Sequence, residues 1–196
     1  MDHALRTVLL PASRRIDALT AAVGRAAAWL VLAACLISVA NALLRYGAHF
    51  ARPMLLDLPI LLFAGIVLGG APRTLAENSH IRVDILYRSL PPRRKAILDL
   101  LGNLVFLVPL CLVMIIESLP FFASSFRIGE GSLTPGGLPQ WPAKALIPLA
   151  FTLLLLQALS EIVKALAVLR GIEPAHDPDA SMPAGDAHAL RSSGAP

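Results

Sequence analysis

A chain of 196 residues that is 56% hydrophobic and 15% charged is too poor in charge for an ordinary soluble domain, where about 25% is usual, and it reads as a membrane protein. Its formal net charge of +4 lies at the edges of apolar runs, as in membrane loops; no zinc-finger, RNA-recognition or basic-helix pattern accompanies it, which argues against nucleic acid as a partner. The histidines (His3, His49, His80, His176 and His188) lack metal-ligand spacing, and no HExxH or nucleophile motif occurs, so neither an enzyme nor a cofactor bound to this chain is expected.

The first stretch, MDHALRTVLLPASRRIDALTAAVGR, holds a short apolar piece, Val8 to Leu10, followed by Arg14 and Arg15. A secretory signal needs a longer apolar core, so the segment is expected to be retained. Leu, Val, Ile and Ala interleaved with arginines over residues 5–25 predict an interfacial helix against the inner leaflet. Residues 1–25 therefore read as a cytoplasmic or interfacial segment.

A hydrocarbon core of about 30 Å needs roughly 20 apolar residues in helical form. Four segments supply them, at about residues 26–46, 57–75, 96–117 and 145–168. The expected fold is all-α: an integral membrane protein with four transmembrane helices over residues 26–169. Pro59 and Pro148 fall in predicted first turns, where a missing N–H matters little, and Pro109 is expected to kink the third span. Cys35 and Cys111 lie deep in apolar runs and read as small hydrophobes.

Lysine and arginine counts set the orientation. Arg6, Arg14, Arg15 and Arg25 precede span one; Arg73, Arg82, Arg88, Arg93, Arg94 and Lys95 lie between spans two and three; Lys164, Arg170 and Arg191 belong to the far end of span four and its tail. Only Arg45, Arg52, Arg127 and Lys144 fall on the other side. The asymmetry predicts that both termini and residues 73–95 are cytoplasmic.

Between spans two and three, Val83, Leu86, Tyr87 and Leu90 recur at i, i+3, i+4 and i+7. That stripe predicts a short interfacial helix, ended by Pro91 and Pro92, with Tyr87 at headgroup level. Arg93, Arg94 and Lys95 then open the third span facing anionic lipid. Orientation does not require Asp84, because acidic residues contribute little to it. His80, Arg82, Asp84 and Tyr87 are thus candidate partner or interfacial contacts. The end of the chain, residues 170–196, has four prolines with scattered Asp, Ser, Gly and Ala, and is expected to be disordered.

An autonomous transport pathway usually leaves ionisable groups facing a cavity, but here the polar residues read as lying near span ends: Asn41, Arg45, Asp57, Asp99, Asn103, Glu117, Gln157 and Glu161. Asn41 and Arg45, Asp99 and Asn103, and Gln157 and Glu161 are each four apart and share a helix face. Gly65 and Gly69 form a small-xxx-small pair that lets another helix approach. Together these favour helices packed against protein, either one another or a partner. No internal repeat is visible, which argues against two inverted halves.

ENSHIRVDILYRSLPPRRKAILDL (residues 77–100), the ending Asn41…Arg45-Tyr46 of span one, and GEGSLTPGGLPQWPAKALIP with the later LLLLQALSEIVK resemble the small membrane subunit, DctQ type, of tripartite ATP-independent periplasmic (TRAP) transporters. The last two stretches are similar to the mannitol/chloroaromatic-type branch. The likeness covers about residues 20–170. Family members often carry Trp and Glu at the entry to span two, where this chain has Met54-Leu-Leu-Asp57-Leu-Pro59. The resemblance implies a bacterial inner-membrane subunit bracing a large membrane subunit that holds the sodium and substrate sites. A periplasmic substrate-binding protein would deliver an organic acid. It also implies that the loop 120–144 faces the periplasm, with Arg127, Glu130, Trp141 and Lys144 as candidate contacts there. The residues alone leave open a small oligomeric permease or channel, and a scaffold or sensor unrelated to transport.

Overall fold

The computed structural model describes residues 9–47, 54–77, 91–132 and 136–171. Within them every regular element is helical: α1 (Leu10–Gly47), α2 (Met54–Ala76), α3 (Pro92–Gly102), a π-helical turn (Asn103–Leu107), α4 (Val108–Ile128) and α5 (Trp141–Leu169). The π turn joins α3 to α4 without a break, so four helices are long and apolar enough to cross a membrane: Leu10–Gly47, Met54–Ala76, Arg93–Ile128 and Trp141–Leu169. The expected interfacial helix before Pro91, with His80, Arg82, Asp84 and Tyr87, lies outside the described residues, as does the tail 172–196.

The boundary anticipated near residue 25 falls inside a helix. α1 runs through it as one helix of 38 residues, about 57 Å at ~1.5 Å per residue and nearly twice the hydrocarbon thickness. Ser13, Thr20 and Gly24 of its first half are buried. Protein contacts therefore hold this segment along the axis of the span.

α5 is the centre of the bundle, packing against α1, α2, α3 and α4. Its buried face carries Ala150, Ala158, Ser160, Ala165 and Ala167 beside Gln157, small side chains that let neighbouring backbones come close. The helix starts at Trp141 with Pro142 in its first turn, where proline fits best. Pro148, expected in a first turn, is instead an interior and buried residue.

Along α3 and α4 the buried residues are Ala96, Asn103, Cys111, Ser118 and Ser125, spaced seven, eight, seven and seven apart. The one step of eight spans the π turn, where the Val108 N–H reaches back to the Asn103 carbonyl. A π turn takes up one extra residue, and here it does so just before Pro109, which cannot donate to the carbonyl four residues earlier. The helix thereby keeps one stripe against α5.

α2 packs on α1 through its glycines. A Cβ at Gly69 would stand 3.6 Å from Val23 and 3.7 Å from Ala27, and one at Gly65 would stand 3.5 Å from Leu30. On the reverse side, Gly24 of α1 receives the aliphatic stem of Arg73, whose Cβ lies 2.9 Å from the position of an added methyl. Outward, Trp29, Phe63 and Phe106 are 72%, 65% and 75% exposed, a surface suited to lipid or a membrane partner rather than water.

Replacing Gly24 by Val should force the Arg73 stem out of its seat and cost about 1–3 kcal/mol, read as a lower melting temperature in detergent. Gly70→Ala, at a position with open space around it, should cost nothing and gain about 0.5–1 kcal/mol of helix stability. Equal melting temperatures for Gly24→Val and wild type would contradict the α1–α2 contact.

Candidate functional site

Two polar assemblies stand out in an otherwise apolar bundle, one between α1 and α5 and one at the opposite end of the helices. The first begins with spacing. Ser13, Asp17 and Thr20 of α1 recur at i, i+4 and i+7; Gln157, Ser160, Glu161 and Lys164 of α5 recur at i, i+3, i+4 and i+7. Each set makes one helical stripe, and the two stripes face each other.

Gln157 is fully buried and every polar atom of its amide is used. Its Oε1 accepts from Thr20 Oγ1 at 2.8 Å, while Nε2 donates to Asp17 Oδ1 at 2.8 Å and to Glu161 Oε1 at 3.0 Å. The hydroxyls of Ser13 and Ser160 lie 2.6 Å apart, and Ser160 donates onward to Asp17 Oδ1 at 3.0 Å. Lys164 Nζ bridges the two acids, 3.2 Å from both Asp17 oxygens and 2.6 Å from Glu161 Oε1. At its buried end, around Gln157, Thr20, Ser13 and Ser160, such a network is strongly binding when complete and costly when a member is lost, while Asp17 and Lys164 at the other end are partly exposed.

Gln157, expected near a span end, lies near the middle of α5 (Trp141–Leu169). Asp17, Thr20, Ser13 and Ser160 are not among the candidates that the sequence alone singles out. A periodic stripe of small polar residues upstream of the apolar run is the signal that points to Ser13, Asp17 and Thr20, but it falls in the segment expected at the membrane surface.

The second assembly ties the connection between α4 and α5 to the bundle. α4 ends on Gly129, whose φ of 61° is the left-handed conformation glycine adopts freely. The N–H groups of Gly129 and Glu130 return to the carbonyls of Phe126 and Ser125, a Schellman closure. Gln140 N–H then donates to the Glu130 carbonyl at 2.9 Å, and the Glu130 carboxylate pairs with Lys144. Lys144 Nζ also stands 4.1 Å over the Phe121 ring. Trp141 meets Phe126 edge-on at 5.5 Å. Asp57, at the start of α2, accepts the Leu138 N–H at 3.0 Å. Gly137 sits so close to that carboxylate that a Cβ would collide with it.

The remaining candidates are separate from both assemblies. Arg45 lies 5.9 Å over the Tyr46 ring, and no hydrogen bond joins it to Asn41. Gly65 and Gly69 face α1, with Leu146 of α5 also near Gly65. Arg127 is exposed in the last turn of α4. Among the described residues no group of three His, Cys, Asp or Glu side chains could hold a metal ion.

Over residues 34–168 the chain matches the family described as tripartite ATP-independent periplasmic transporters, DctQ component. The chain belongs to the DctQ family. No curated protein and no solved structure matches it. The matched span of this DctQ chain contains Gln157, Ser160, Glu161 and Lys164 but starts after Ser13, Asp17 and Thr20. Half of the α1–α5 seam thus lies outside the family match.

Gln157→Leu should destabilise the DctQ chain by about 1–3 kcal/mol, because it takes the amide donors away from the Asp17 and Glu161 carboxylates. Lys164→Met should lower the melting temperature further by leaving Asp17 and Glu161 opposed, and adding Asp17→Asn should recover part of that loss. A melting temperature unchanged by Gln157→Leu would contradict the seam.

The Lys144 ammonium holds the Glu130 carboxyl below its ordinary value. A lowered folded-state value means that the contact contributes fully above the ordinary carboxylate range and is lost as pH falls through the folded-state value. In a Trp29→Phe background, Trp141 fluorescence should stay constant from neutral pH down through the ordinary carboxylate range and change only below it. Glu130→Gln should abolish the acid transition.

Proposed function

We propose that this chain is the fixed brace of a TRAP transporter. It packs against the large membrane subunit during ion-gradient-driven uptake of an organic acid delivered by a periplasmic substrate-binding protein. Membership of the DctQ family supports the division of labour. The observation that carries the bracing role is the α1–α5 seam: Gln157, Asp17, Glu161 and Lys164 are committed to one another, which makes the bundle rigid. Its outer surface is broadly apolar, with large exposed side chains on α1, α2 and α4. A brace needs a stiff interior and apolar faces, whereas a carrier needs polar groups that can exchange partners.

On this reading the chain lies in the bacterial inner membrane, with the termini and residues 73–95 cytoplasmic by the positive-inside rule. The Glu130–Lys144 connection then lies on the periplasmic side, where the binding protein arrives. Sodium, if it is the coupling ion, is held by the large subunit.

Affinity purification of the tagged chain, co-expressed with its large subunit, should recover both in one complex. Proteoliposomes should take up substrate only when both subunits and the binding protein are supplied. Recovery of the chain alone, as a homo-oligomer that conducts solute by itself, would overturn the proposal.

A further inference from the structure

Glu117 stands apart from every other acid described in the bundle. Expected at the end of the third span, it lies instead eleven residues before the end of α4, is exposed, and makes no hydrogen bond or ion pair among the described residues. Its neighbours on the same face, Leu110, Val113 and Ile128, are 52%, 57% and 71% exposed. No charged residue occurs from Leu104 to Ile116. Arg127, the next charge toward the end of α4, is ten residues on, about 15 Å along the axis at ~1.5 Å per residue. Lysine and arginine can snorkel across such a distance in part, but the short glutamate side chain cannot. Lipid tails offer no donor to a carboxylate, and anionic headgroups repel it. An ionisable group so placed calls for a protein partner.

The same face has a second mark. Pro120, Ala123, Ser124, Arg127 and Ile128 line a shallow groove of about 350 Å³. Ala123 and Ser124 are small enough to let a helix backbone approach. Arg127 too has no hydrogen bond or ion pair among the described residues. One face therefore presents an unpaired acid, a small-residue groove, and an unpaired guanidinium near its end.

We infer that this face of α4 receives a transmembrane helix of the large subunit, one that carries a cationic or N–H-donating side chain opposite Glu117 and an acceptor opposite Arg127. A second copy of the chain does not fit. A two-fold axis along the membrane normal would set Glu117 against Glu117 and Arg127 against Arg127. The inference rests on the bracing role and adds to it the surface and the chemistry of contact.

The test uses the full complex. A photo-crosslinking amino acid at Val113 or Ser124, with Glu117 intact, should give an adduct of the mass of the large subunit plus this chain. The same probe at Phe63 of α2 or Trp29 of α1 should give little. Glu117→Leu, which suits an apolar helix and should insert normally, should lower recovery of the large subunit about three- to tenfold, the range expected for losing one intramembrane hydrogen bond. Glu117→Gln, which still hydrogen-bonds, should fall between. If wild type recovers no large subunit, the bracing role and this inference fail together. If the complex forms but adducts arise only from Phe63 or Trp29, or only between copies of this chain, or if Glu117→Leu leaves recovery unchanged, this inference alone fails.

Discussion

The buried amide of Gln157 is the constraint on which the rest of the bundle depends. An amide in the middle of an apolar helix must have its donors and acceptor matched, and every match comes from a place that restricts the fold. Thr20 and Asp17 can reach it only if the first half of α1 is helical and lies along α5. Once α1 is so placed, Val23, Ala27 and Leu30 meet Gly69 and Gly65, which sets α2. α2 in turn carries Asp57 to the Leu138 N–H and so holds the connection between α4 and α5. Contacts at opposite ends of the molecule thus follow from one side chain.

The two polar assemblies differ in what they join, and this suits different tasks. The α1–α5 seam is centred on the buried Gln157 amide and links two partly exposed acids through one lysine. The Glu130–Lys144 assembly has no buried amide at its centre and orders a connection rather than a core. In the proposed brace, the seam supplies stiffness and the ordered connection offers a shaped surface to an arriving protein. Neither demands that the chain itself move.

Much of this is legible in the sequence. Four apolar runs foretell four spans because length and hydropathy are local properties. The i,i+4 spacing of Gln157 and Glu161 correctly sets them on one face, where they share a hydrogen bond. What the sequence hides is long-range. Asp17 and Gln157 are 140 residues apart, and no local pattern says which stripe meets which. The unbroken length of α1 is obscured because apolarity stops near Arg25 while helicity does not. Pro148 is misplaced for a related reason: Trp141 and Pro142 start α5 inside the stretch expected to be the loop 120–144.

The π turn at Asn103–Leu107 works as a phase corrector. Between Ala96 and Ser125 the chain holds one residue more than a regular heptad stripe allows, and each residue of a helix turns the face by about 100°. Widening a single turn absorbs that excess, so that Cys111, Ser118 and Ser125 still look toward α5. The orientation of Glu117 is therefore set ten or more residues away, by how many residues the chain counts through that turn. A single insertion or deletion there would turn the whole outer half of the helix as a dial turns, without altering any residue on it.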